Sequence, residues 1–269
     1  AYKRVWTDAG SPLLVHTEAQ CAGIRERLQN KFGDDIDVRF AMRYGNPSIA
    51  ERTDALMEKG CERILVFPLY PQYSAATTAT VNDKTFESLM ATRFMPAIRT
   101  VPAYHDEPVY IEALARSIEG HFSTLDYVPE KLIASYHGIP QSYFKKGDPY
   151  HCQCQKTTRL LKERLGWADT DIKTTFQSKF GPEEWLKPYT VEEVARLASE
   201  DGKKNIAVCA PAFSADCIET LEEINEEIKE SFEEAGGEHF TYIPCLNDDP
   251  AHIRALSAVI EENLEGWLR

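Results

Sequence analysis

Several things are scarce or missing in this sequence, and each narrows the reading. No apolar run approaches the ~20 residues that a membrane-spanning helix needs. The longest, around Ile64–Tyr70, has the length of a strand. The opening stretch Ala1–Gly10 is polar and carries Lys3, Arg4 and Asp8, unlike the apolar core of a signal peptide. Basic residues are the minority, with 30 Lys and Arg against 43 Asp and Glu and a net charge of −13. A protein whose main partner is nucleic acid needs a basic surface to meet phosphates, so this balance argues against that class. The 14 Gly and 15 Pro follow no period, which excludes a fibrous repeat. Neither G-x-G-x-x-G nor G-x-x-x-x-G-K-[ST] occurs, and there is no G-x-S-x-G elbow. The tightest cysteine pair, Cys152-Gln-Cys154, lacks the C-x-x-C spacing of a zinc site or a compact iron–sulfur run. Seven cysteines, an odd number, without a signal peptide point to reduced thiols in a cytoplasmic compartment.

What is present is ordinary for a packed globule: 269 residues, 43% hydrophobic and 27% charged, enough for one large domain or two small ones. Short apolar runs predict strands at Ile36–Met42, Arg63–Pro68, Ala97–Pro102, Lys131–Tyr136, Lys173–Gln177, Asn205–Ala210 and Phe240–Ile243. Most are apolar on both faces, as in a buried parallel sheet. Amphipathic stretches between them predict helices at Val15–Gln29, Ser48–Lys59, Thr77–Ala91, Pro108–Thr124, Cys152–Leu165, Val191–Ser199, Ala215–Ala235 and Ala251–Trp267. This alternation indicates an α/β fold with parallel sheets flanked by helices.

The two halves echo each other. Gly60-Cys-Glu-Arg-Ile-Leu-Val-Phe-Pro68 resembles Gly202-Lys-Lys-Asn-Ile-Ala-Val-Cys-Ala-Pro211, with Ile64 and Ile206 142 positions apart. Arg43-Tyr-Gly-Asn-Pro47 echoes Lys179-Phe-Gly-Pro182 at a spacing of 136. We therefore expect two lobes related by duplication: residues 1–125, residues 126–250, and a terminal helix at 251–269 packing back on the first lobe. The strand at Lys131–Tyr136 has no counterpart after residue 1 when shifted back by 136. The first lobe is accordingly expected to lack its first strand here, with more sequence at the amino terminus of the full-length protein.

In open α/β sheets, ligands bind beyond the carboxyl ends of strands, and three groups fall there. His137, in Ser135-Tyr-His-Gly-Ile-Pro140, directly follows a strand; it either satisfies loop backbone or does chemistry. After the strand ending near Pro211 come Asp216, Glu219, Glu223 and Glu227, at helical spacings that put four carboxylates on one face. Acids favour a helix start, which accounts for the first two, whereas the far end points to a track for cations or protons. His137 and Glu219 together offer a nitrogen and oxygens to a divalent metal, or an acid/base pair. The third group, Pro68-Leu-Tyr-Pro-Gln-Tyr-Ser-Ala-Ala-Thr-Thr78, sets Tyr70 and Tyr73 where they wall a flat apolar ligand or pack a hinge. Gln177–Trp185 offers a second wall.

These segments resemble ferrochelatase, the family that inserts ferrous iron into a porphyrin to make haem. The resemblance rests on SYHGIPQSYFKKGDPY (Ser135–Tyr150), TFQSKFGPEEWLKPYT (Thr175–Thr190), FSADCIETLEEI (Phe213–Ile224), PLYPQYSAATT (Pro68–Thr78) and GSPLLVHTEAQ (Gly10–Gln20), and looks most like the proteobacterial branch. It implies two Rossmann-like lobes around a cleft, agreeing with the duplication. It implies His137 and Glu219 as the active-site pair, serving as proton acceptor and metal ligand in an order the sequence leaves open. Glu223 and Glu227 match the acidic face leading onward as a relay. Arg43, Tyr44 and Tyr70 match cleft residues of the first lobe, and Trp185 the tryptophan near the porphyrin. Porphyrin and ferrous iron are then the substrates, no further cofactor is required, and peripheral membrane contact follows from the apolarity of the substrate. An animal-type [2Fe–2S] cluster is not expected, because Ala75 stands where one ligand would be. Two rival readings are a chelatase for another metal or tetrapyrrole, and a two-lobed protein that holds a ligand or haem without turnover.

Overall fold

The computed structural model describes residue 6, residues 10–168 and residues 171–268. Local signals place the first helices. Ser11 opens α1 (Pro12–Phe32) by accepting from the Leu14 N–H at 3.3 Å, and Pro12 suits a first turn whose N–H has no helical partner. Ser48 and Glu51 close a capping box at the start of α2 (Ile49–Glu58): the Glu51 N–H donates to Ser48 Oγ and the Ser48 N–H to Glu51 Oε2.

Strands β1 (Arg63–Val66) and β2 (Ala97–Thr100) pair in parallel, with α3 (Thr78–Met90) between them in sequence. A second parallel sheet has the order β4-β3-β5-β6, from β3 (Lys131–His137), β4 (Ile172–Gln177), β5 (Asn205–Cys209) and β6 (His239–Tyr242). Its crossovers include α5 (Gln141–Lys145), α6 (Tyr150–Leu165) and α7 (Thr190–Ser199). Strand β3 lies inside the sheet and alternates between two cores, as a period of two requires. Leu132, Ala134 and Tyr136 enter a core shared with Ile24 and Leu28 of α1, Ile111 and Ile118 of α4 (Pro108–Phe122), and Leu256. Ile133 enters the other, with Val194, Leu197, Val208, Ile224 and Phe232. The first core draws from both halves of the chain.

The repeat is visible in the element starts. Arg63 and Asn205, Ala97 and His239, and Pro108 and Pro250 each lie 142 positions apart and open equivalent elements. The last of these opens the final helix, Pro250–Asn263, which packs against α1 and α4.

Three expectations need correction. Residues Ile36–Met42 form no ladder: among the described residues their sole β-bridge is Met42 to Ser48, and a strand without a partner row cannot satisfy its alternate N–H and C=O groups as a sheet. The segment is nonetheless the counterpart of β4, because the Met42 N–H donates to the Pro47 carbonyl at 2.8 Å as the Phe176 N–H does to the Pro188 carbonyl at 2.9 Å. That pairing aligns Arg43 with Gln177, not with Lys179; a Gly followed closely by a Pro in each loop misled the sequence alignment because the second loop is longer. Finally, the helix expected from Ala215 starts as a π-helix, Glu219–Ile228, and continues as α8 (Lys229–Glu234). The delay has a cause in Asp216, whose carboxylate is buried and engaged elsewhere.

Behind α8 the chain reverses at Gly237, where a Cβ would sit 2.1 Å from the Phe232 ring. Phe232 is fully buried and cannot swing away. Gly237→Ala is expected to destabilise the fold by about 3 kcal/mol, the upper range for overpacking a rigid core. A urea midpoint unchanged from the parent would show that the turn yields more easily than the packing implies.

Candidate functional site

The carboxyl ends of β3, β4 and β5 build one side of the site. His137 ends β3, and its Nδ1–H donates to the Gly138 carbonyl at 2.7 Å. A carbonyl can only accept, so in the neutral ring the proton sits on Nδ1 and Nε2 carries the free lone pair. Trp185 and Phe213 flank the imidazole, with ring centroids 6.3 and 6.4 Å away. Gly138 must be glycine for a steric reason. Its N–H donates to the Gln177 carbonyl, and a Cβ there would meet that oxygen at 2.8 Å and Trp185 Cε3 at 3.0 Å. Gly138→Ala is therefore expected to shift the carbonyl that orients His137. In a reaction that works through His137, kcat is expected to fall about 10- to 100-fold, the cost of a small misplacement of a reacting group. Full activity in a folded Gly138→Ala protein would show that the loop does not set the ring.

Glu219 begins the π-helix that follows β5. π-helical turns are rare and recur at functional sites. Glu223, one turn on, is tightly held: the Ser178 N–H and the Ser178 hydroxyl each donate to its carboxylate at 2.5 Å, and Gln177 Nε2 lies 3.3 Å from it. Glu227 is exposed, and its carboxyl is pushed up by partial burial and by the surrounding carboxylates Glu222, Glu223, Glu230 and Glu226. Asp216 does not belong to this face. It is buried, accepts from the hydroxyls of Tyr242 and Thr220 at 2.6 and 2.8 Å and from the Asn247 amide at 2.6 Å, and so anchors the loop before the helix.

A cavity of about 1160 Å³ is lined mostly by first-half residues and is closed by His137, Tyr150, residues 212–219 and the end of the chain's last helix. His137 and Glu219 both line it, as do Arg43, Tyr44 and Tyr70. It also runs between residues 34–44 and β1. The Arg43 guanidinium lies 4.4 Å over the Tyr44 ring, and the ring itself is 75% exposed to the cleft mouth. Burial pushes the Tyr70 phenol up, and nearby Tyr44, Cys217 and Glu219 add to it against Arg43. Trp185, Glu223 and Glu227 do not line the cavity. Trp185 stands behind His137, and the two glutamates lead away along the helix.

Cys152 is exposed and Cys154 is fully buried on the same helix, so the two thiols do not face one ion. Among the described residues no group of three or more His, Cys, Asp and Glu side chains is arranged to hold a metal. No helix among them is long and apolar enough to cross a membrane. The sequence reading missed the Ser178 contact to Glu223 and the Phe213 contact to His137. Ser178 carries a signal only in its backbone, a φ of 61° unusual for a side-chain-bearing residue, which composition and spacing do not reveal.

Comparisons with known proteins give the family and the fold. The ferrochelatase family model matches residues 1–264. A ferrochelatase of Rhodobacter capsulatus is 59% identical, covering 99% of this chain and 77% of its own length. One of Rhizobium meliloti (strain 1021) is 58% identical, covering 100% of this chain and 79% of its own length. Among solved structures, SirB from Bacillus subtilis with Fe3+ superposes with a TM-score of 0.66 at 13% identity, over 96% of this chain and 93% of that one. DR2241 from Deinococcus radiodurans, a multi-domain protein with structural similarity to chelatases, gives 0.60 at 10% identity, over 91% of this chain and 50% of that one. At these identities the structural likeness speaks for the fold, two lobes of chelatase type.

Proposed function

The chain belongs to the ferrochelatase family, and from that premise we propose that its cleft inserts ferrous iron into protoporphyrin, with His137 and Glu219 as the working pair. As a lyase run toward synthesis, it takes one ferrous ion and one free-base porphyrin and gives haem and two protons. Iron is a substrate here, arriving and leaving in the product.

The observation that carries the assignment of residues is that His137 and Glu219, from separate strand ends, line one large cavity. The chemistry asks for both kinds of group. Two pyrrole N–H protons must leave the ring, and a divalent cation must shed water on the way in. His137 Nε2 supplies a neutral lone pair, and the Glu219 carboxylate offsets the positive charge that a cation or imidazolium brings. Glu223 and Glu227 continue the negative path outward, with Glu227 at its solvent end. Arg43, Tyr44 and Tyr70 form the wall for the macrocycle. The Arg43 Nε is buried without a hydrogen-bond partner, which suits a porphyrin carboxylate. Trp185 acts through His137, as backing for its ring.

In this reading the first lobe is residues 1–125, the second 126–250, and residues 251–269 clasp the first. Its setting is the reducing cytoplasm, where ferrous iron persists; the seven cysteines, all free thiols, accord with it.

Zinc insertion into a water-soluble porphyrin tests the function. The protein is expected to convert the free-base spectrum to the metalloporphyrin spectrum catalytically. Tight porphyrin binding with no turnover for any divalent metal would assign it to ligand carriage instead.

A further inference from the structure

Gln177 and Ser178 end the strand beside His137, yet neither lines the cavity, and the mechanism above does not use them. Gln177 is paired in register with His137 across β3 and β4 and is only 4% exposed. Its amide is fully used. Oε1 accepts from the Ser135 hydroxyl at 2.7 Å, and Nε2 donates to the backbone carbonyl of Glu219 at 2.8 Å and approaches Glu223 Oε2 at 3.3 Å. The first of these contacts fixes which way the amide points; the second reaches the first residue of the π-helix. Ser178 then turns through positive φ, which brings both its N–H and its hydroxyl onto the Glu223 carboxylate at 2.5 Å. A side-chain-bearing residue adopts that backbone at a cost, and such strain persists where the surroundings demand it.

We propose that Gln177 and Ser178 are positioning residues for metal insertion: they fasten the π-helical turn that carries Glu219 to the strand pair that carries His137, and they fix Glu223 as a standing carboxylate. The reasoning rests on the His137 and Glu219 assignment. Those two side chains come from different strands, β3 and the segment after β5; Asp216 holds the first helical turn from below through Thr220, and the Gln177 amide ties the same turn to the His137 strand pair. A wide π turn is less favoured than an α turn, so a carbonyl bond from outside the helix at Glu219 holds it open. With that bond gone, the turn can tighten toward α geometry and carry Glu219 away from the imidazole. Glu223, gripped by three donors, does not swing to pick up and hand on a cation; it holds a negative charge beside the path, and movement along the track falls to Glu219 and Glu227.

Two variants separate positioning from mere support. Gln177→Met keeps length and removes the donor; Ser178→Gly keeps the N–H, removes the hydroxyl and relieves the strained φ. Gln177→Met is expected to lower kcat about 10- to 100-fold with the porphyrin KM within about twofold of the parent. Ser178→Gly is expected to lower kcat about 3- to 10-fold while its unfolding midpoint stays level or rises, because relief of strain stabilises as loss of the hydroxyl slows the enzyme. A purely structural role cannot move activity and stability in opposite directions. Parent-like kcat in Ser178→Gly, or parent-like kcat in a folded Gln177→Met, would overturn the proposal; if Gln177→Met does not fold, Ser178→Gly decides alone. Glu219→Gln measured in parallel distinguishes the premise from the proposal. Turnover retained in Glu219→Gln defeats the site assignment itself, whereas turnover lost there but kept in the two positioning variants defeats only this inference.

Discussion

Replacing Glu219 by Gln is expected to lower kcat for metal insertion by about 10²- to 10⁴-fold, the range for removal of a positioned acid/base group. The amide has nearly the shape of the carboxylate, so the helix start and the cavity wall stay in place. What disappears is the negative charge next to the path of an incoming dication and the group that can take a proton. Porphyrin affinity, followed by fluorescence quenching, should stay within about threefold of the parent, because the proposed wall of Arg43, Tyr44 and Tyr70 is untouched and kcat loss without KM loss marks an interaction made in the transition state. Near-normal turnover would reduce Glu219 to a helix-start acid, with about 0.3–1 kcal/mol of dipole stabilisation as its whole contribution.

His137→Ala is expected to lose turnover by a similar factor of about 10²–10⁴. Its geometry explains why no neighbour can replace it. The Nδ1–H is committed to the Gly138 carbonyl, Trp185 and Phe213 confine the ring, and the one lone pair left on Nε2 is the group available to a pyrrole proton or to iron. The fold should survive, since His137 is only partly buried at the end of its strand. On the proposed mechanism the two side chains act on the same protons and cation, so the double variant His137→Ala with Glu219→Gln should be little slower than the worse single variant. Losses that multiply would mean that the two residues act in independent steps.

The sequence made much of this visible, for reasons that can be named. Strand β3 is a run of seven residues followed by Gly138 and preceded, one residue away, by Pro129, and the pattern alone placed His137 at its end. The 142-position spacing between halves survives in three pairs of element starts because those elements pack into equivalent sheets. The failures are physical too. Ile36–Met42 has strand chemistry, but strands are made by partners, and apolar composition does not supply one. The π-helix was hidden because i, i+4 carboxylates suit an α-helix as well; the Asp216 network and the Gln177 bond to the Glu219 carbonyl, which meet its first turn, come from elsewhere in the chain. Asp216 looked like part of the acidic face because spacing does not record that Tyr242, Thr220 and Asn247 converge on it from elsewhere in the chain.

The central claim is that one cleft between two lobes removes two protons and inserts one metal ion through His137 and Glu219. The most direct measurement is a single-turnover experiment with porphyrin bound to excess protein in weakly buffered solution, zinc added, and metalloporphyrin formation and proton release followed together. The account predicts two protons released per metal inserted, in step with insertion, and both signals slowed together by about 10²-fold or more in Glu219→Gln and in His137→Ala. Insertion and proton release at the parent rate in both variants would contradict it.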